Sequence, residues 1–331
     1  MQGVTGSPTT SVIRRSATAA LLSIAILVIV SVVPTLFGVE EGEVRFTGAG
    51  ISLTWQRFTQ YVAAGRPDRF YVGMTPRSLV RDVPRFALIS LSIALPAALC
   101  ALLVGAIIPV ARRYARSPLP SVLLMLAAVP MFVLAILLQA AGLRINELVG
   151  TRVFQIAYVG GFRSPVLLPM ISAMLPLSAL VARMVDAEVG RQMKAEHYRA
   201  AAARGIGRAS LLFRHAGSGA LHSVETVLPR IGSSTLATMF IVERIFNLPG
   251  LSSLLLNFAF SREFYRYPRI LEEVTRSDGT VYLRSTFGGG IYVVTAQLQM
   301  LVVCAILIAL VYTLVVLSCL MLVRAAQRSL Q

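Results

Sequence analysis

From Phe86 to Val110 the chain reads FALISLSIALPAALCALLVGAIIPV, without one Asp, Glu, Lys or Arg. A helix rises ~1.5 Å per residue and a bilayer's hydrocarbon core is ~30 Å thick, so this run is long enough to cross it. In lipid every backbone N–H and C=O must be satisfied internally, which leaves such a run little choice but a transmembrane helix. Comparable runs recur at about Ala17–Val33, Leu119–Ala141 (interrupted by Pro130), Pro165–Ala182 and Ile291–Val323. A weaker one, Val224–Val242, contains Glu225, Pro229, Arg230 and Gly232, and its membrane core is placed near Ile231–Val242. The expected fold is an all-α polytopic membrane protein of about six transmembrane helices.

Charge sets the expected orientation. Only 14% of the residues are charged, against about 25% in a typical soluble domain. The net charge of +16 would suggest nucleic acid in a soluble protein. Here all basic residues but Lys194 are arginine, and they collect at the ends of apolar runs, where they fix topology. Membrane lipid is therefore the expected partner, and nucleic acid is not. Arg112, Arg113 and Arg116 mark one cytoplasmic turn, and Arg324 and Arg328 a cytoplasmic C-terminus. This divides the chain into a tail at 1–16, a membrane domain at 17–323 and a tail at 324–331, both tails cytoplasmic. External loops are expected at 35–84, 142–164 and 243–290, and a cytoplasmic loop at 183–223.

Chemistry is sparse. Cys100, Cys304 and Cys319 lie inside apolar runs with no CxxC spacing, and His197, His215 and His222 form no HExxH pair. No catalytic or metal site is expected, and the chain reads as a non-enzyme. It lacks a GxxxxGKS/T loop, so it binds no ATP by that route. The interiors of the second, third, fourth and sixth runs hold no Asp, Glu, Lys or Arg, which argues against a self-powered ion-coupled carrier. Gln139, Thr235, Thr238, Gln297 and Gln299 are the polar candidates for a pore lining, or for bonds between helices.

The long polar interval is Arg191–Ser223, RQMKAEHYRAAAARGIGRASLLFRHAGSGALHS. Met193–Ala203 predicts a short helix of strong helix formers, broken by Gly205 and Gly207. Ser210 is expected to cap a second short helix, whose Leu211, Leu212 and Phe213 would form an apolar knob beside Arg214 and His215. Two readings follow: docking into a groove of a soluble partner, or a basic amphipathic loop lying on anionic lipid.

Residues 196–260 resemble the permease subunits of bacterial ABC importers, specifically the B-type subunit of the peptide/nickel class. Arg199-Ala200-Ala201, three residues, then Gly205 fall on that family's EAA-xxx-G loop, and LLFRHA at 211–216 is similar to its LFRHA. The proline usual about eight residues later is Ser223 here, a departure. Val242-Glu243-Arg244-Ile245-Phe246-Asn247-Leu248-Pro249-Gly250-Leu251 is similar to the family's VExxFxxPGL.

The resemblance implies that Arg199, Ala200, Ala201, Gly205, Leu211, Phe213, Arg214 and His215 couple the chain to an ATPase. It implies that Glu243, Phe246, Pro249, Gly250 and Leu251 form an external re-entrant element. The expected partners are a C-type permease subunit, two ATP-binding subunits that use ATP and Mg, and an extracytoplasmic substrate-binding protein. The implied setting is the bacterial plasma (inner) membrane, and the implied cargo oligopeptides or dipeptides. The competing readings are a stand-alone channel or carrier, and a membrane scaffold that recruits a cytosolic protein.

One segment has no counterpart in the family. Residues 271–285, LEEVTRSDGTVYLRS, predict a β-hairpin around an Asp278-Gly279 turn. That register sets Thr275 opposite Tyr282, Val274 opposite Leu283 and Glu273 opposite Arg284.

Overall fold

The computed structural model describes residues 18, 21, 25, 29, 32–40, 43–65, 69–72, 75–115, 129–158, 166–266, 270–275, 281–286 and 290–330. Most of the first apolar run, and 116–128 before Pro130, lie outside the described residues. In chain order come β1 (Phe37–Glu40), β2 (Glu43–Phe46), α1 (Ala49–Ala63), β3 (Arg69–Val72), β4 (Thr75–Ser78), α2 (Leu79–Ala115) and α3 (Met131–Val149). Then follow α4 (Leu167–Lys194), α5 (Glu196–Ala203) and α6 (Arg208–Ser210), which runs through a π-turn at Leu211–Ala216 into α7 (Gly217–Ile245). A short α8 (Leu251–Ser253), the strands β5 (Phe260–Arg266), β6 (Ile270–Thr275), β7 (Val281–Thr286) and β8 (Gly290–Ala296), and α9 (Leu298–Leu330) complete the described chain.

Among the described residues, α2, α3, α4 and α9 are long and apolar enough to cross a membrane, which makes this a multi-pass membrane protein. α7 is as long, but Glu225, Arg230, Glu243 and Arg244 are spread along its length, and it is not among these four. The helices also overrun their expected limits. Residues 142–149, expected in a loop, continue α3, and 183–194 continue α4.

The chain divides into two compact units. The larger holds residues 84–253 and 306–331, along with 1–23. Its helices meet where side chains are missing. A Cβ on Gly105 of α2 would lie 2.6 Å from the Ser178 carbonyl oxygen of α4. On Gly232 of α7 it would lie 2.6 Å from Val316 and 2.9 Å from Tyr312 of α9. Close backbone approach at small residues is how helices associate where lipid supplies no hydrophobic drive. Ile93, Ala97, Ala135, Leu168, Ala173, Val242, Phe246 and Leu248 form a core from α2, α3, α4 and the end of α7.

The smaller unit holds residues 24–83 and 254–305. Here the all-α expectation is corrected by an antiparallel sheet in the order β2-β1-β8-β5. Phe37 faces Phe46 and Val39 faces both Val44 and Tyr292, while β5 pairs with β8 from Phe260↔Ala296 to Arg266↔Gly290. Ile291–Ala296, read above as the start of the sixth span, is therefore a central strand, and the helix starts at Leu298. The run IYVVT is apolar enough for either state, but its β-branched and aromatic residues favour strand where neighbours complete the ladder. α1 lies on this sheet. The Thr54 hydroxyl accepts the Ala296 N–H at 2.9 Å, and Gly50 abuts the carbonyls of Thr35 and Val294 with no room for a Cβ.

The hairpin of β6 and β7 forms, one residue out of the expected register. Glu272, not Glu273, stands opposite Arg284, and Val274 opposite Tyr282. Residues 276–280, with the expected Asp278-Gly279 turn, lie outside the described residues. Adjacent Glu272 and Glu273 offer Arg284 an opposite charge in either register, so charge pairing cannot choose between them.

Candidate functional site

Both segments singled out in the sequence belong to the larger unit. In the first, α4 ends at Lys194 with Ala195 in extended backbone, and α5 follows at once. Met193 and Lys194, expected in the short helix, thus belong to α4. Arg204 closes α5 and Gly205 takes φ +81°, the left-handed conformation that glycine adopts without a Cβ penalty. Nothing lies within 4 Å of where a Gly205 Cβ would stand, so the requirement there is one of backbone and not of space. Gly207 is extended and precedes α6.

Ser210 is not a cap. It has helical backbone inside a continuous helical path, and the second short helix is the leading turn of α6–α7. The Gly217 N–H bonds to the Leu212 carbonyl, five residues back, which marks the π-turn; such turns often sit at functional sites. The expected apolar knob is also corrected. Leu211 and Leu212 are buried and anchor the turn, and only Phe213 is exposed. Phe213 lines an apolar cavity of about 190 Å³ with Leu103 and Ile107 of α2 and Leu322 of α9. Of the remaining coupling candidates, Arg199, Ala200, Gly205 and Arg214 are exposed and Ala201 is buried, while His215 lies within the π-turn. The outward surface is a corner made by Arg199, Ala200, Gly205, Arg208 and Ala209.

In the second segment Glu243 is fully buried. Its carboxylate accepts the Ser90 hydroxyl of α2 on one oxygen and the Ser252 N–H at 2.8 Å on the other. Ser90 in turn accepts the Leu251 N–H at 2.8 Å. A buried carboxylate survives when its lone pairs are met by donors, and these two donors come from α2 and α8. The Leu248 N–H returns to the Glu243 carbonyl at 2.8 Å.

The reversal itself falls at Asn247, φ +51°, and Gly250 is not among the residues with positive φ. Gly250 therefore does not supply the reversal. Gly250 is required because a Cβ there would fall on the Glu243 carboxylate. Phe246 and Leu251 are fully buried beside it. Pro249 stands between the Asn247 reversal and Gly250.

Residues not marked by any motif complete this element. Gln139 of α3, a candidate for the pore, donates to the carbonyls of Ile156 and Ile245 at 3.2 Å each. The Tyr158 N–H meets the Phe246 carbonyl at 3.1 Å, and Arg85 donates to the Tyr158 hydroxyl at 3.2 Å. Thr235, another pore candidate, is buried and bonds back to Ile231 of its own helix at 2.7 Å. Nothing in the one-dimensional pattern distinguishes Ser90 from the other small residues of its span; only its partner does.

No family model matches the chain. It is similar to proteins of Brucella abortus (strain 2308), Brucella suis biovar 1 and Brucella melitensis biotype 1 that carry the provisional name peptide transport system permease protein. Each is 32% identical over 183 residues, covering 53% of this chain. The chain spans 58% of the length of these relatives.

Proposed function

We propose that this chain is the B-type, pore-forming permease subunit of a binding-protein-dependent ABC importer in the bacterial inner membrane. It carries oligopeptides or dipeptides with a C-type permease subunit, two ATP-binding subunits and an extracytoplasmic binding protein. ATP and Mg are used by the partner subunits, and the chain itself performs no covalent chemistry. It alternates between outward- and inward-facing states as the ATPases close and open. The 199–209 corner faces the cytoplasm and the Glu243–Leu251 element faces outward.

The observation that carries this reading is the exposed corner centred on left-handed Gly205, on the segment that resembles the coupling loop. An exposed, basic corner suits docking into a groove better than a helix laid flat on lipid, because Leu211 and Leu212 are turned into the protein. Similarity to proteins named for peptide transport supports the cargo class.

The test is co-expression of the chain with candidate C-type, ATPase and binding-protein partners, followed by reconstitution. Peptide-loaded binding protein should stimulate ATP hydrolysis and drive uptake. Uptake by the purified chain alone, without ATP, would favour a channel or carrier; unchanged peptide uptake after gene deletion would favour a scaffold.

A further inference from the structure

Arg113 closes the basic end of α2, where sequence alone gives it only a topological role. Its guanidinium is specifically seated. Nε donates to the Asp186 carboxylate of α4 at 2.9 Å, Nη2 to the Asp186 carbonyl at 2.9 Å, and Nη1 to the Met193 sulfur at 3.3 Å. Gly190 lies between these two on α4, and a Cβ there would stand 3.0 Å from Nη2. Spacings of four and three put Asp186, Gly190 and Met193 on one helix face. That face is a slot for a planar cation: carboxylate at one end, no side chain in the middle, thioether at the other.

The backbone of the same residue is also engaged. Arg208, the first residue of α6 past the Gly205–Gly207 corner, donates through Nη2 to the Arg113 carbonyl at 2.7 Å. That carbonyl is among the last four of α2, which have no partner within the helix. One residue therefore joins the exposed corner, the end of α2 and the face of α4.

We propose that Arg113 is a positioning residue for coupling. Through the path Arg208, Arg113, Asp186 it makes the corner move as one body with the ends of α2 and α4. The proposal rests on the permease reading given above. A planar fork held at three points resists rotation, which a lysine's single ammonium would not.

The test has two arms in the full chain with Cys100, Cys304 and Cys319 replaced. In the first, nitroxides at Tyr114 and Ala209 report the distance between the end of α2 and the corner. The distribution should be narrow in the parent and broaden in Arg113→Gln, in Asp186→Asn and in Gly190→Leu, which crowds the slot without touching a charge. In the second, the reconstituted transporter should keep its basal ATP hydrolysis in these variants while uptake per ATP falls by about tenfold, a typical coupling effect. The exchange Arg113→Asp with Asp186→Arg should recover part of it.

An unbroadened distribution, or parental uptake per ATP in Arg113→Gln, overturns the proposal. So does loss of folding or assembly in all three variants, which would make the slot a structural brace only. A parent chain that stimulates no ATPase sinks the permease reading instead; the distance arm still decides whether Arg113 holds the corner.

Discussion

The Ser90 hydroxyl donates to the buried Glu243 carboxylate and accepts the Leu251 N–H at 2.8 Å, so one side chain of α2 ties the end of α7 to the start of α8. A hydroxyl is suited to this place because it donates and accepts at once. Both of its partners are buried, and neither has water as a substitute.

Ser90→Ala should therefore cost about 1–3 kcal/mol, the penalty for orphaning a buried donor and acceptor. Ser92→Ala is the matched control. The Ser92 hydroxyl bonds the Ile89 carbonyl of its own helix at 2.7 Å, in an exposed position, and its loss should stay within about 0.5 kcal/mol. Thermal unfolding of the purified chain should show a drop in Tm for the first and little for the second. Equal Tm values would remove the Ser90–Glu243 lock.

Gly250→Ala should be destabilising, because its Cβ would occupy the volume of the Glu243 carboxylate. Glu243→Ala should be destabilising as well, since it strips the Ser90 hydroxyl and the Ser252 N–H of their acceptor. The double variant should cost less than the sum, by about 0.5–3 kcal/mol as expected for residues in direct contact. Additive losses in a thermal-unfolding cycle would mean that the two positions act separately.

At Gly205 the constraint is conformational, so substitutions should rank by tolerance of positive φ and not by size. Gly205→Asn should retain most activity, whereas Gly205→Val should lose uptake, with a strain of roughly 1–2 kcal/mol or more for a β-branched residue. Membrane yield should be unchanged in both, because no neighbour lies within reach of the new side chain. If uptake by the two variants is the same, the corner's conformation is irrelevant to transport.

Orientation is open to direct labelling. In a cysteine-free background, a cysteine at exposed Trp55 should react with an impermeant thiol reagent in intact cells, and one at exposed Ala209 should react only after lysis. Reaction at Ala209 in intact cells would reverse the assignment of the corner to the cytoplasm.

The long uncharged runs and the arginines at their ends determined, from sequence alone, that this is a helical membrane protein. Both are local quantities, read off a window of one helix length, and the positions of α2, α4 and most of α9 follow from them. The glycine break at 205 was legible for the same reason, since a left-handed residue is demanded by its own backbone. Tertiary structure decided what depends on partners distant in sequence. Ile291–Ala296 is apolar enough to begin a span, and becomes a strand because β1 and β5 lie on either side of it. Leu211 and Leu212 sit in a polar loop by sequence, and are buried because the helix carrying them continues into α7. Glu243 and Gly250 stand in one short motif, but the space they contest and the Ser90 that completes their bond exist only once α2 is packed against them. Buried hydrogen bonds and close contacts are properties of pairs, and one member of such a pair carries little sign of the other until the chain has folded.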